Sequence, residues 1–214
     1  RPSLKEIASK RELTEAEALT PVPATNQGKV YSAGPTGAKF HASKALFKIA
    51  IGPINSGKST FCVIELVRMA AEQHKGSDGI RRTRFLVVRN SYPDLKSSTI
   101  QSWTEWVPAG HWGEIRYDIP IVFYFRHKDI ESEIWFVSMD RPEHIRKALG
   151  TQFTAAWVNE VKFIPFPLIM DIFGRTGRYP PASEGGAAHR CIIMDTNPPE
   201  ETHWILRIEA RLMA

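Results

Sequence analysis

A chain of 214 residues that is 43% hydrophobic and 24% charged has enough apolar content to bury a core, which excludes an intrinsically disordered protein. Its formal charge of +5 is compatible with a polyanionic partner without demanding one. No uninterrupted apolar run approaches the roughly 18 residues of a membrane span, and the start at Arg1-Pro2-Ser3-Leu4-Lys5 lacks the apolar stretch of a signal peptide. The expectation is a cytosolic protein with no membrane partner. Cys62 and Cys191 both sit in apolar runs, which points to buried free thiols in a reducing compartment.

Residues 4–19 alternate charge with Leu, Ile and Ala and predict a helix that Thr20-Pro21-Val22-Pro23 ends, while Gly28 to Gly37 reads as loop. Residues 1–40 are therefore expected as an N-terminal arm and 41–214 as one folded unit. Strand-like and helix-like segments then alternate: a strand over Leu46–Ile51, a helix from Lys58 to about Gln73, a strand over Arg84–Val88 and a helix from about Asp94 to Trp106. That alternation predicts an α/β fold with a mainly parallel sheet flanked by helices. Ile121–Phe125 and Ile134–Ser138 flank the polar turn Arg126-His127-Lys128-Asp129, which predicts an antiparallel hairpin inserted in or added to the sheet. Two further buried strands are predicted over Phe153–Val158 and Arg190–Asp195, and a helix near Thr202 to Leu212. The chain begins without Met and stops inside a predicted helix, so it reads as a portion of something longer.

Between the first strand and first helix, Gly52-Pro53-Ile54-Asn55-Ser56-Gly57-Lys58-Ser59 matches the full G-x-x-x-x-G-K-[ST] phosphate loop, followed by Thr60. Glycines let successive backbone N–H groups point at phosphate oxygens, Lys58 reaches the terminal phosphates, and the Ser59 hydroxyl is placed to ligate Mg²⁺ at the positive end of the helix. ATP and Mg²⁺ are the implied cofactors. Hydrolysis needs a carboxylate at the end of a neighbouring buried strand to aim a water at the γ-phosphate. Ala155-Ala156-Trp157-Val158-Asn159-Glu160 has that form, with Glu160 as the water-activating base. Asn159 stands where an Asp normally assists the metal and offers only a neutral carbonyl oxygen. Cys191-Ile192-Ile193-Met194-Asp195 runs into Thr196-Asn197-Pro198-Pro199, so Thr196 and Asn197 are candidate γ-phosphate sensors at a strand's C-terminal edge.

In order and spacing these segments resemble the N-terminal ATPase domain of the large terminase subunit of tailed bacteriophages, over roughly residues 40–214. The further elements are Val87-Val88-Arg89-Asn90-Ser91-Tyr92-Pro93-Asp94-Leu95-Lys96, the basic-plus-glycine stretch Ile145-Arg146-Lys147-Ala148-Leu149-Gly150, and His203-Trp204 after the last strand. The resemblance implies a P-loop NTPase of the ASCE/RecA-like kind and a Mg-dependent ATPase that drives double-stranded DNA into procapsids in the host cytoplasm. It also implies a homo-oligomeric, pentameric ring, with portal protein and small terminase subunit as partners. Arg146 becomes the candidate arginine finger acting on a neighbouring subunit's nucleotide, and Arg89 a nucleotide contact. Arg175 and Arg178 are DNA or subunit contacts, and Gln27 with Phe40-His41-Ala42-Ser43 candidates for holding adenine. The family's C-terminal nuclease domain is not in this chain. Alternatives are an ATP-binding assembly module that docks with little turnover, which Asn159 would permit, and another P-loop enzyme such as a helicase-like ATPase or a kinase.

Overall fold

The structure, a computed structural model, describes residues 30–207. The helix predicted over 4–19, Gln27 and the far end of the helix predicted to Leu212 lie outside the described residues. Seven strands form one sheet: β1 (Phe47–Ile51), β2 (Arg81–Arg89), β3 (Gly113–Arg116), β4 (Ile121–His127), β5 (Ile130–Ser138), β6 (Ala155–Asn159) and β7 (Ile192–Thr196), in the spatial order β1-β7-β6-β2-β5-β4-β3. The five strands from β1 to β5 in that order pair in parallel, and β4 and β3 add an antiparallel edge beyond β5. The predicted hairpin is β4–β5. It is added to the sheet through β5, which pairs along its whole length with β2.

The helices are α1 (Pro35–Ala42), α2 (Lys58–Glu72), α3 (Tyr92–Asp94 continuing through a π-helical turn at Leu95–Thr99 into Ile100–Trp106), α4 (Pro142–Leu149) and α5 (Phe166–Phe173). A central strand buried on both faces reads as a continuous apolar run, and its period of two deals alternate residues to opposite sides. Phe85, Val87, Ala155, Trp157 and Ile193 accordingly pack with Cys62, Val63, Leu66 and Met69 of α2 and Leu95 and Trp103 of α3. Leu86, Val88, Ala156, Val158, Ile192 and Met194 pack on the other side with Ala148 of α4 and Ile169 and Ile172 of α5. Each Val, Leu, Ile, Phe or Met among them contributes about 1.5–3 kcal/mol on burial.

Four features differ from the sequence reading. Residues 35–37, expected as loop, begin α1, where Pro35 sits in the first helical turn that tolerates its missing N–H and Phe40 packs into the core. Strand β3 carries a single apolar residue, Ile115, and so leaves no periodic signal. Strands β6 and β7 start two residues later than predicted, Phe153 being taken up by main-chain bonds with Arg175 and Arg178 before β6 begins, whereas β2 and β5 start earlier, at Arg81 and Ile130. Helices α4 and α5, both short, are elements that the sequence reading did not include. Among the described residues no helix is long and apolar enough to cross a membrane.

Gly113 opens β3 at φ 150°, and a Cβ there would lie 1.9 Å from the Tyr124 carbonyl oxygen on β4. Backbone cannot yield as a flexible side chain does. Gly113→Ala is expected to cost about 1–3 kcal/mol, read as a lowered urea midpoint with unchanged slope.

Candidate nucleotide-binding site

The C-terminal edge of the parallel strands collects the candidate residues. Strand β1 ends at Ile51, the chain curls through 52–57, and α2 begins at Lys58. Two residues in the turn adopt positive φ, Asn55 at 62° and Gly57 at 80°; the left-handed conformation at Gly57 is the one glycine enters without a Cβ penalty. The Gly52 N–H donates to the Thr196 carbonyl (3.2 Å), tying the start of the loop to the end of β7.

A polar hollow of about 280 Å³ lies over this loop, floored by Asn55, Gly57, Lys58 and Ser59 and walled by Glu160 and Asn197. Lys58 Nζ donates to the Pro53 carbonyl (2.6 Å), Ser56 Oγ (3.3 Å) and Asn197 Oδ1 (3.2 Å). Glu160 follows β6 with φ 51°, a left-handed backbone that turns its carboxylate toward β7, where Oε2 accepts from the Thr196 hydroxyl and the Asn197 N–H, both at 3.4 Å. Lys58, Ser59, Thr60, Glu160 and Asn197 thus line one hollow, and Thr196 is buried behind Glu160. Ser98 and Ser102 of α3 line it too. Sequence reasoning missed both, because two serines on a helix carry no signal of their own; the π-helical turn that contains Ser98 has no local marker either.

Behind the hollow lies a buried polar network. Ser59 Oγ donates to Asp195 Oδ2 (2.8 Å), and Trp157 Nε1 donates to Asp195 Oδ1 (2.7 Å). Asn159 Nδ2 donates to both Asp195 oxygens at 3.1 and 2.9 Å, while its Oδ1 accepts from Arg89 Nη1 (2.9 Å) and Thr99 Oγ1 (2.7 Å). Burial pushes the Asp195 carboxyl above its ordinary value, against these hydrogen bonds, and the Glu160 charge adds to the rise. Asn159 therefore does not line the hollow: Asp195 stands between it and Ser59. Arg89 is held by Asn159, with Asp94 at 4.0 Å. The signal for Asp195 was present, an acid at the C-terminal edge of a buried strand, but its placement depends on the parallel register that sets Asn159 opposite Asp195.

The remaining candidates lie apart from the hollow. Arg146 is exposed on α4. Arg175 and Arg178 sit beside Phe153, at the opposite edge of the sheet from the phosphate loop. A second, larger hollow of about 570 Å³ shares Ser56 and Lys58 with the first and is lined by Phe40, Ser43, Phe47 and Phe61 among others. His41 is turned away from it. Its Nδ1 meets Glu65 Oε2 at 2.6 Å and its Nε2 meets the Tyr31 hydroxyl at 2.7 Å, in a buried group that Lys48 joins through Glu65 Oε1 at 2.6 Å.

No protein-family model and no curated protein matches the sequence. Solved structures do match the fold. The large terminase of the thermophilic bacteriophage D6E aligns with a TM-score of 0.61 at 12% identity, over 78% of this chain and 38% of that one. The same D6E protein in complex with ATP-gamma-S aligns with a TM-score of 0.54 at 13% identity, over 75% of this chain and 34% of that one. The large terminase ATPase domain of Thermus phage P74-26 aligns with a TM-score of 0.52 at 16% identity, over 79% of this chain and 66% of that one. The chain thus spans 38% of the length of the D6E terminase. With the strand order above and the loop of Gly52 to Ser59 at its C-terminal edge, the chain has the fold of the phage large-terminase ATPase domains.

Proposed function

We propose that residues 41–214 form the Mg-dependent ATPase of a viral DNA-packaging motor, a terminase large subunit that moves double-stranded DNA into procapsids in the host cytoplasm. The observation that carries the reading is the convergence of Lys58, Ser59, Glu160 and Asn197 on one polar hollow over a phosphate loop. The fold's likeness to large terminases, one of them solved with ATP-gamma-S, supplies the context.

The chemistry follows from the side chains. Backbone N–H groups of the loop and the Lys58 ammonium hold the β- and γ-phosphates. Glu160 takes a proton from a water whose oxygen attacks the γ-phosphorus; the bond from phosphorus to the bridging oxygen breaks, and the departing ADP charge is met by Lys58. Thr196 and Asn197, already bonded to Glu160, sense the γ-phosphate and keep the base aimed. The residues present fit Mg²⁺: Ser59 would hold it through its hydroxyl at the N-terminus of α2, backed by the buried Asp195 carboxylate, which has no cationic partner among the described residues, and phosphate oxygens and water would supply the remaining ligands. When bound, the ion neutralises phosphate charge. Phe40, Phe61 and Ser43 in the larger hollow hold the nucleoside end.

Subunits assemble as a pentameric ring on the portal protein, with the small terminase subunit as a further partner, and the exposed Arg146 reaches the neighbour's γ-phosphate. Steady-state phosphate release with and without double-stranded DNA tests the reading. The expected result is turnover that DNA stimulates. ATP binding without turnover under either condition would favour an assembly module instead. Mixing Arg146→Ala with Lys58→Ala protein is expected to restore a measurable part of turnover that neither has alone, since each supplies what the other lacks; no recovery places Arg146 outside the interface.

A further inference from the structure

Asp195 is fully buried, yet none of the ion pairs among the described residues includes it. Its neighbours are neutral donors: the Trp157 indole, the Asn159 carboxamide and the Ser59 hydroxyl. A buried carboxylate without a counter-charge is costly, and proteins keep one where a cation will complete it. One of its oxygens holds the hydroxyl that faces the phosphate hollow.

We propose that Asp195, on β7, supplies the carboxylate that anchors the divalent cation at this nucleotide site. It acts through Ser59 and the cation's water shell, in place of the β6 position that Asn159 occupies. The assignment rests on the Mg·ATP reading given above. It also accounts for the asparagine. An Asp at 159 would set two carboxylates 2.9–3.1 Å apart in a closed interior, whereas the carboxamide donates to Asp195 with one end and accepts from Arg89 and Thr99 with the other. The metal-binding acid has moved one strand across the sheet, and Asn159 has become its positioning residue.

The test is a Mg²⁺ titration of ATP-gamma-S binding. Asp195→Asn is expected to shift the Mg²⁺ midpoint upward by about 10–100-fold, the usual loss when an outer-shell partner is removed, with metal-free nucleotide affinity unchanged. The substitution deletes a buried charge but turns one acceptor of this donor-lined network into a donor, so the ligand-free melting temperature, measured beside the midpoint, reports the structural cost separately. A lowered melting temperature with an unshifted Mg²⁺ midpoint would show a structural role and overturn the assignment. Wild-type protein that binds no ATP-gamma-S overturns the nucleotide reading itself, a separate outcome. Should Asp195→Asn not fold, the wild-type protein crystallised with Mn²⁺ and ATP-gamma-S decides. The anomalous Mn²⁺ peak is expected on Ser59 Oγ and within about 4–5 Å of the Asp195 carboxylate, one bridging water away. A peak beyond that reach sinks the proposal.

Discussion

Glu160→Gln is expected to lower ATP turnover by about 10²–10⁴-fold, the range for removal of a positioned general base. The substitution keeps the size of the side chain and lets the carboxamide oxygen go on accepting from Thr196 and Asn197, so the left-handed turn after β6 has no reason to relax. What disappears is the capacity to take a proton. Nucleotide affinity should stay close to wild type, because the proposed phosphate contacts come from the loop and Lys58. Phosphate release measured beside fluorescent-nucleotide binding separates the two quantities. Turnover retained to within a few-fold would remove Glu160 from the base role.

The largest stability effect is expected at Glu65. Its two oxygens meet Lys48 and His41 at 2.6 Å each, with Arg68 at 3.4 Å, and the Lys48 and Glu65 side chains are only 6% and 5% exposed. Glu65→Ala leaves the Lys48 ammonium buried without a partner, which costs about 3–5 kcal/mol. Against a typical total of about 5–15 kcal/mol that is a severe loss. Lys48→Met with Glu65→Leu should recover most of it, since removing both charges removes the desolvation penalty as well. The pH dependence gives an independent check. Burial pushes the Glu65 carboxyl up, but the His41 hydrogen bond and the Lys48 charge outweigh it and hold it below the ordinary glutamate value. A depressed folded value means that the stabilisation is fully present above the unfolded value of about 4.3 and is lost as pH falls through the folded one. Urea midpoints measured from neutral to acid pH should therefore fall less steeply in the double variant than in wild type.

The phosphate loop and six of the seven strands were legible in the sequence because their signals are local: a fixed residue spacing, and apolar runs that reflect burial on both faces. Strand β3 was not, since an edge strand with one apolar residue needs its partner to define it. Helix α1 was hidden by glycine and proline at its start, residues that punctuate loops as often as they open helices. The placement of the candidate site was legible as far as adjacency in sequence reaches. Lys58 and Ser59 follow from the loop, and Glu160 from the strand before it. The link from Ser59 to Asp195, and from Asp195 to Asn159, spans 136 and 36 residues of sequence and is created by strand order alone. The serines of α3 enter the hollow only because β2 delivers that helix above the loop.

An ammonium has three hydrogens to give. In Lys58 all are engaged, by the Pro53 carbonyl, Ser56 and Asn197. On the proposed function an incoming phosphate would therefore gain Lys58 only by exchange. The two longest of these bonds, to Ser56 and Asn197, are the ones readily surrendered. Release of Asn197 frees the residue whose main-chain N–H steadies Glu160. In the proposed mechanism, arrival of the nucleotide and release of the Glu160 carboxylate would then be successive stages of one exchange, since Lys58 and Glu160 share Asn197 as a partner.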